Sequence, residues 1–124
     1  MTPEIKAAFE LIPEPQRDVV LGMRDLVFDC AGSMGVEVEE VLRWGQPSYI
    51  APKGSTLRLG VSKSGQPAIF AHCQSRTVST FADQFGQDFQ IEGNRAVYVD
   101  ALTPDARSKL CHLISHGLQY KLRK

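Results

Sequence analysis

The sequence lacks the features that would place it in a membrane, a secreted or a nucleic-acid-binding class. No apolar run approaches the roughly 18 residues of a membrane-spanning helix, and the N-terminal segment has no basic region followed by an apolar core and a cleavage site. An excess of charge of one sign is also lacking, since 14 basic and 14 acidic residues give a net charge of zero. No overall field would attract nucleic acid or anionic lipid. We therefore expect a cytoplasmic protein with no nucleic-acid and no membrane partner.

Cysteine is scarce, and no two cysteines stand close together in the sequence. Cys30, Cys73 and Cys111 are odd in number and form no C-x-x-C motif, which argues against a disulfide framework and a thiolate zinc site. We expect free thiols in a reducing compartment. His72 precedes Cys73 in a predicted strand, where adjacent side chains point to opposite faces. The two therefore form no nucleophile and base pair, and we interpret Cys73 as a small core residue.

Motifs of the common enzyme classes are also missing. The chain has no G-x-S-x-G elbow, no P-loop and no G-x-G-x-x-G after a strand. His112 and His116 stand four residues apart, a spacing that can bring two imidazoles to one metal ion, but no glutamate follows His112 to make H-E-x-x-H. We interpret these two residues as solvated histidines and the chain as non-enzymatic.

The patterns that are present predict a single α+β domain over residues 1–124. With 43% hydrophobic and 23% charged residues, the chain has the balance of one domain with one core. Thr2-Pro3 and Thr103-Pro104 each combine a capping residue with a proline at the first helical position, which predicts N- and C-terminal helices. Apolar residues at three- and four-residue steps predict a long helix over about 15–34.

The middle of the chain follows a period of two and predicts antiparallel strands. Alternation over 57–62, followed by a Ser-Gly-Gln-Pro turn and "AIFAHC", predicts a hairpin, and "FQIEGNRAVYVD" predicts a second one. Between them a short helix begins at Ser75 or Thr77 and ends at Gly86. We expect an antiparallel sheet of about five strands packed against the terminal helices.

A row of carboxylates is predicted on the exposed side of the long helix. Such a row offers oxygen ligands to a hard or borderline cation such as iron(II), bound weakly with water completing the shell. Acidic residues on an exposed helix face more often serve solubility, and Arg17 and Arg24 flank this row as ion-pair partners. The row consists of Glu14, Asp18, Asp25 and Asp29, and the metal candidates are Asp18, Asp25 and Asp29.

The stretch "RWGQPSY" contains the only tryptophan of the chain. Gly45 can adopt conformations closed to other residues and Pro47 favours an extended Gln46, so we expect a sharp turn into the first strand with Trp44 at the corner. We favour Trp44 as a core plug over the end of the sheet. The alternative is a small concave ligand site, for which the candidates are Trp44, Pro47, Tyr49, His72 and Arg95.

Arg95 follows the predicted Gly93-Asn94 turn and alternates with Ala96, which places it on the same strand face as Val97. An arginine on an apolar strand face needs a partner. We predict an ion pair near the sheet edge, with Glu39, Glu40 or Glu92 as the carboxylate.

Several stretches resemble the YdhG-like family, a domain family of unknown function. They are "VEEVLRWGQPSY", "HCQSRTVSTFADQFG" and "IEGNRAVYVD" before a helix that opens with T-P-D. The resemblance covers nearly the whole chain, and its E-x-x-x-W-G-x-P-x-Y and E-G-N-R-A patterns are fairly specific. It implies an α+β fold with an antiparallel sheet packed against helices. Some members carry the label frataxin-like iron chaperone, which implies iron(II) carriage without assigning it to any residue here.

These observations together predict a small cytoplasmic non-enzymatic binding protein, either a monomer or a homodimer. We expect no resident cofactor other than weakly bound iron(II). The protein would act either as an iron(II) carrier or as a domain that binds a small ligand or a protein partner at the Trp44 corner and sheet face.

Overall fold

The chain forms an antiparallel sheet with helices packed against one of its faces. The computed structural model describes residues 1–52, 54–72 and 75–119. Within these ranges the chain forms four helices, which are α1 (Pro3–Glu10), α2 (Gln16–Met34), α3 (Thr77–Phe85) and α4 (Pro104–Gln119). The same ranges contain six strands, which are β1 (Glu39–Arg43), β2 (Gln46–Ile50), β3 (Leu57–Val61), β4 (Pro67–Ala71), β5 (Gln90–Glu92) and β6 (Ala96–Tyr98). The predicted α+β class is confirmed.

The first residues of α1 and α4 and the last residue of α2 lie where capping chemistry predicts, whereas α3 begins after Arg76 without a side-chain cap. The hydroxyl of Thr2 accepts a hydrogen bond from the Ile5 amide at 3.3 Å, and that of Thr103 accepts one from the Ala106 amide at 3.1 Å. Each bond satisfies an amide that has no partner within the first helical turn. Gly35 ends α2 in the left-handed conformation at φ +67°, which a residue without Cβ adopts readily.

The sheet order is β1-β2-β3-β4-β6-β5, and all neighbouring strands are antiparallel. The sequence predicted about five strands, and β1 is the additional one. Its sequence, "EEVLR", carries two glutamates, which are depleted in strands. Pairing with β2 nevertheless makes this segment the edge of the sheet.

The core lies between one face of the sheet and the helices. Buried side chains of α1, α2 and α4 form one cluster with the strand residues Tyr49, Leu57, Leu59, Ile69 and Val97. On the opposite face, Ala68, Ala96, Tyr98 and Phe70 form a separate cluster that contains no helix residue among those described. This second face, which we call the open face, therefore has no helical cover in the described chain.

A disulfide joins the two longest helices. It links Cys30 of α2 to Cys111 of α4, with 6.1 Å between their Cα atoms. The expectation of free thiols is therefore wrong for these two residues. Their separation of 81 residues leaves no local spacing motif, and only the packing of α2 against α4 brings them together. Cys73 lies outside the described residues.

None of the helices in the described part of the chain is long and apolar enough to cross a membrane.

Candidate functional site

Trp44 and Gly45 form a two-residue turn between β1 and β2. Both have positive φ, +51° and +75°, as the hairpin turns that match strand twist require. Asparagine and glycine suit such turns, whereas a bulky residue at positive φ is an outlier. The Trp44 side chain is 82% exposed. The favoured prediction of a core plug is therefore wrong, because the turn projects the indole beyond the end of the hairpin.

Arg58 stands on the open face between two aromatic rings. Its guanidinium carbon lies 5.3 Å from the centroid of the Trp44 ring and 5.8 Å from that of Phe70. The Nη1 atom also donates a hydrogen bond to Oε1 of Gln46 at 3.2 Å. Gln46 can lie flat on the neighbouring strand because Gly60 has no side chain, and a Cβ there would come within 2.7 Å of the Gln46 amide nitrogen. The cation of Arg58 is thus held in place.

Beside this stack lies an open depression of about 590 Å³. Residues from four separate stretches of the chain converge on it, namely the β1–β2 turn, the start of β3, the end of β4 and the turn before β6. Three arginines and one histidine are among its lining residues, and no acidic residue in the described part of the chain lines it. The lining residues are Arg43, Trp44, Thr56, Arg58, Ala71, His72 and Arg95.

A second depression, of about 710 Å³, adjoins the first on the open face. Arg95 lines both. Here the charges are mixed, since Lys63, Arg95 and Glu92 all contribute. Glu92 accepts a hydrogen bond from the Tyr98 hydroxyl, and this bond, together with burial, raises the pKa of Tyr98.

The structure brings together three of the five ligand-binding candidates. Trp44, His72 and Arg95 line the first depression. Pro47 and Tyr49 alternate with Ser48 on β2, and they are buried on the core face of the sheet. These two residues therefore do not line the depression.

Tyr49 belongs instead to a buried ionic cluster. Its hydroxyl donates a hydrogen bond to Oε2 of Glu40 at 2.7 Å, and its ring contacts Phe28 edge to face. Arg24 donates two further bonds to the same carboxylate. Burial and the hydrogen bond to Glu40 both raise the pKa of Tyr49, so the hydroxyl remains a proton donor. This cluster joins α2 to β1 and β2 on the core side of the sheet.

The predicted ion pair of Arg95 is not formed. Within the described residues, Arg95 makes no salt bridge to Glu39, Glu40 or Glu92. Its backbone joins the ladder, because its carbonyl accepts from Ala71 N at 2.8 Å. Its side chain is exposed rather than inserted among apolar strand neighbours. An exposed guanidinium is solvated by water and needs no carboxylate, which removes the premise of that prediction.

The acidic row lies on the exposed side of α2 and of the turn before it. Glu14, Asp18, Asp25 and Asp29 are all exposed. Arg17 contacts Glu14 at 3.8 Å, whereas Asp29 pairs with Arg107 of α4 at 3.8 Å. Among the described residues, no group of three or more His, Cys, Asp or Glu side chains is placed to hold a metal ion.

The two histidines of α4 differ in environment. His112 is exposed, and its ring lies 5.5 Å from that of Phe85. His116 is half-buried, and its Nδ1 lies 2.9 Å from the hydroxyl of Thr77 on α3. Burial lowers the pKa of His116. The interpretation of two solvated histidines is thus wrong for His116, because α3 packs over that end of the helix.

Sequence reasoning missed Arg43, Thr56 and Arg58 as lining residues. A usable signal was present, since Arg58 alternates with Leu57 and Leu59 in the predicted strand. That alternation places Arg58 on the face opposite the core. Which residues of other strands stand beside it depends on sheet order and register, and neither can be read from one strand.

Comparison with known proteins yields no match for this chain, whether to family models, to curated proteins or to solved structures.

Proposed function

We propose that this protein is a non-enzymatic binding domain for a small organic ligand, which it holds in the depression beside Trp44 on the open face. One observation carries the proposal. The only tryptophan of the chain is both exposed and held at positive φ. Neither property favours the folded state.

The backbone strain at Trp44 and the contact that its ring makes have opposite effects on the free energy of unfolding. A non-glycine residue in a sparsely populated backbone region costs about 1–3 kcal/mol. Its contact with Arg58 at 5.3 Å is an exposed cation–π interaction, for which about 0.5–1 kcal/mol is typical. The stabilisation from this contact is no larger than the cost of the strained backbone. The stability of the fold therefore does not explain why this turn contains a tryptophan. Strained positions of this kind cluster at binding sites.

The shape and lining of the open face support a ligand of modest size. Both depressions, at about 590 and 710 Å³, fall within the range of small-molecule sites. An aromatic face at one end and convergent polar groups from several strands are also typical of such sites. A protein partner bound at the same face is the nearest alternative.

Three expectations from the sequence bear on this proposal, namely family membership, cellular location and iron(II) carriage. Membership of the YdhG-like family is supported by the sequence patterns around Trp44 and Arg95. The expected cytoplasmic location does not fit the Cys30–Cys111 disulfide, since such bonds are typical of oxidising compartments. Iron(II) carriage by Asp18, Asp25 and Asp29 is the competing function, which the family label suggests.

Intrinsic fluorescence offers a direct test, because all tryptophan emission comes from Trp44. We would screen a set of neutral, cationic and anionic ring compounds and confirm each hit by calorimetry. We expect saturable binding of a subset in the parent and loss of that binding in Trp44→Asn. Leu11→Asn is the matched control, since Leu11 is equally exposed at 85% but lies at the end of α1. Hits that bind Trp44→Asn as tightly as the parent would refute the proposal.

A further inference from the structure

We infer that the ligand of the Trp44 depression is a phosphate monoester of a planar ring compound. This inference rests on the proposed function and specifies its ligand class. The phosphate would contact the guanidinium groups of Arg43, Arg58 and Arg95, and the ring would stack on Trp44.

The depression is cationic although the whole chain is neutral. Among the described residues that line it, three are arginines and none is acidic, whereas the chain as a whole has equal numbers of basic and acidic residues. Of the carboxylates on the strands, Glu40 pairs with Arg24, and Glu92 accepts a hydrogen bond from Tyr98 in the adjoining depression. Within the described residues, Arg43 and Arg95 form no salt bridge. An anionic ligand would supply the missing countercharge.

The donor arrangement of each guanidinium group also suits an oxyanion. Guanidinium groups present paired N–H donors that match the oxygens of phosphate and carboxylate. Arg58 is already positioned by Gln46 and by the two flanking rings, so little conformational freedom would be lost when it binds. Arg43 and Arg95 approach from the end of β1 and from the turn before β6. The hydroxyl of Thr56 and the imidazole of His72 lie on the same lining.

Phosphate fits this charge better than carboxylate does. A phosphate monoester carries a charge of about −1.5 to −2 at neutral pH, whereas a carboxylate carries a single negative charge. A single negative charge would offset less of the positive charge that the arginines bring to the lining. A dianion neutralises more of the positive charge in the depression, and its three terminal oxygens can accept hydrogen bonds from several guanidinium groups.

The indole of Trp44 accounts for the second half of the ligand. Arg58 lies over the ring at 5.3 Å, yet 82% of the Trp44 side chain stays exposed. An exposed indole next to the positioned guanidinium of Arg58 is a platform on which a planar ring stacks. A ring that carries a phosphate would thus contact both parts of the depression at once.

The test is calorimetry of the full chain with a matched set of probes. Adenosine monophosphate carries the ring and the dianion, adenosine only the ring, and inorganic phosphate only the anion. We expect adenosine monophosphate to bind at least about tenfold more tightly than either part, and added salt to weaken it. Arg95→Gln and Arg43→Gln should each weaken it by about tenfold and leave adenosine unaffected. Arg107→Gln, on α4, is the control that should change neither.

Each of the following outcomes would overturn the inference, and each would point to a different reason. Equal affinity for adenosine and its monophosphate would mean that the ring alone is recognised. If neither probe binds while other compounds from the fluorescence screen do, the proposed site stands and its ligand class is wrong. A single-stranded oligonucleotide that binds more than about tenfold more tightly than the mononucleotide would identify a nucleic-acid surface instead. If no compound binds near Trp44 at all, the proposed function fails together with this inference.

Discussion

Arg24 and Glu40 form a bidentate ion pair between α2 and β1, with Nε to Oε2 at 2.6 Å and Nη2 to Oε1 at 3.0 Å. Both side chains are largely buried, at 20% and 11% exposure. The guanidinium carbon of Arg24 also lies 4.9 Å from the Phe28 ring centroid. The pair fixes the edge strand against the helix layer, and β1 in turn carries the hairpin that ends in Trp44.

Loss of the Glu40 charge should destabilise the protein in a pH-dependent way. Burial raises the pKa of the Glu40 carboxyl, but the hydrogen bonds from Arg24 and Tyr49 outweigh that effect and hold the pKa below its ordinary value of 4.5. The ionised form therefore stabilises the fold above pH 4.5, and this contribution is lost as the pH falls through the lower folded-state pKa. We expect Glu40→Gln to lower the free energy of unfolding by about 1–3 kcal/mol at neutral pH, the range for a partly buried charged hydrogen-bond partner.

Urea denaturation of the parent and Glu40→Gln across the acid range measures this difference. The gap between the two proteins should narrow as the pH falls below about 4.5. Glu39→Gln is the matched control, because Glu39 stands next to Glu40 on the same strand but is exposed. A gap that stays constant down to acid pH would contradict the prediction.

Reduction of the Cys30–Cys111 disulfide should lower stability. The bond closes a loop between residues separated by 81 positions, and such cross-links typically contribute about 2–4 kcal/mol by restricting the unfolded chain. We expect a reductant to lower the midpoint of urea denaturation of the parent, and to have no effect on Cys30→Ala combined with Cys111→Ala. Cys73→Ser should remain sensitive to the reductant. Identical curves for the parent with and without reductant would show that the bond contributes nothing.

The sequence carried most of the information about the fold because local chemistry decides most of it. Thr2, Thr103 and Gly35 mark helix ends through capping that acts within a few residues. The apolar stripe of α2 is likewise a local pattern. What escaped prediction depends on residues far apart in the chain. The pairing of Glu40 with Arg24 and the bond between Cys30 and Cys111 are both of this kind.

The candidate site was predicted in part for the same reason. The sequence singled out Trp44 because it is unique and precedes a glycine, but it predicted the wrong environment for the ring. A tryptophan is rarely placed at positive φ, so the turn was not recognised as a two-residue hairpin. Arg58 and Arg43 could be placed beside Trp44 only once the register of β1, β2 and β3 was known.

The iron(II) hypothesis makes a separate prediction. If α2 carries iron(II), replacing Asp18, Asp25 and Asp29 together with asparagine should abolish binding, because the amide loses the charge that attracts a hard cation. At 1.5 Å per residue, Asp18 and Asp29 are roughly 16 Å apart along the helix, so one ion cannot bridge them. Our account predicts no saturable heat in anaerobic iron(II) calorimetry of either protein. Saturable heat in the parent alone would favour the iron carrier.

Relief of the Trp44 strain should stabilise the fold. Asparagine tolerates positive φ and is favoured before glycine in two-residue hairpin turns, so Trp44→Asn removes strain of about 1–3 kcal/mol. It also removes the contact with Arg58 at 5.3 Å, for which about 0.5–1 kcal/mol is typical. We expect a net gain of about 1 kcal/mol in the free energy of unfolding, measured by urea denaturation. A loss of several kcal/mol would instead show that Trp44 stabilises the turn and would contradict the strain argument.

The central claim is that small ligands bind beside Trp44, and nuclear magnetic resonance of the nitrogen-labelled protein tests it most directly. The chain has one tryptophan, so its indole N–H gives a single assignable side-chain signal. Titration with adenosine monophosphate and with the strongest compound of the fluorescence screen should shift that signal saturably. The amides of Thr56, Ala71 and His72, which line the same depression, should shift with it. Shifts confined to other surfaces, with the Trp44 indole unchanged at saturation, would contradict the account.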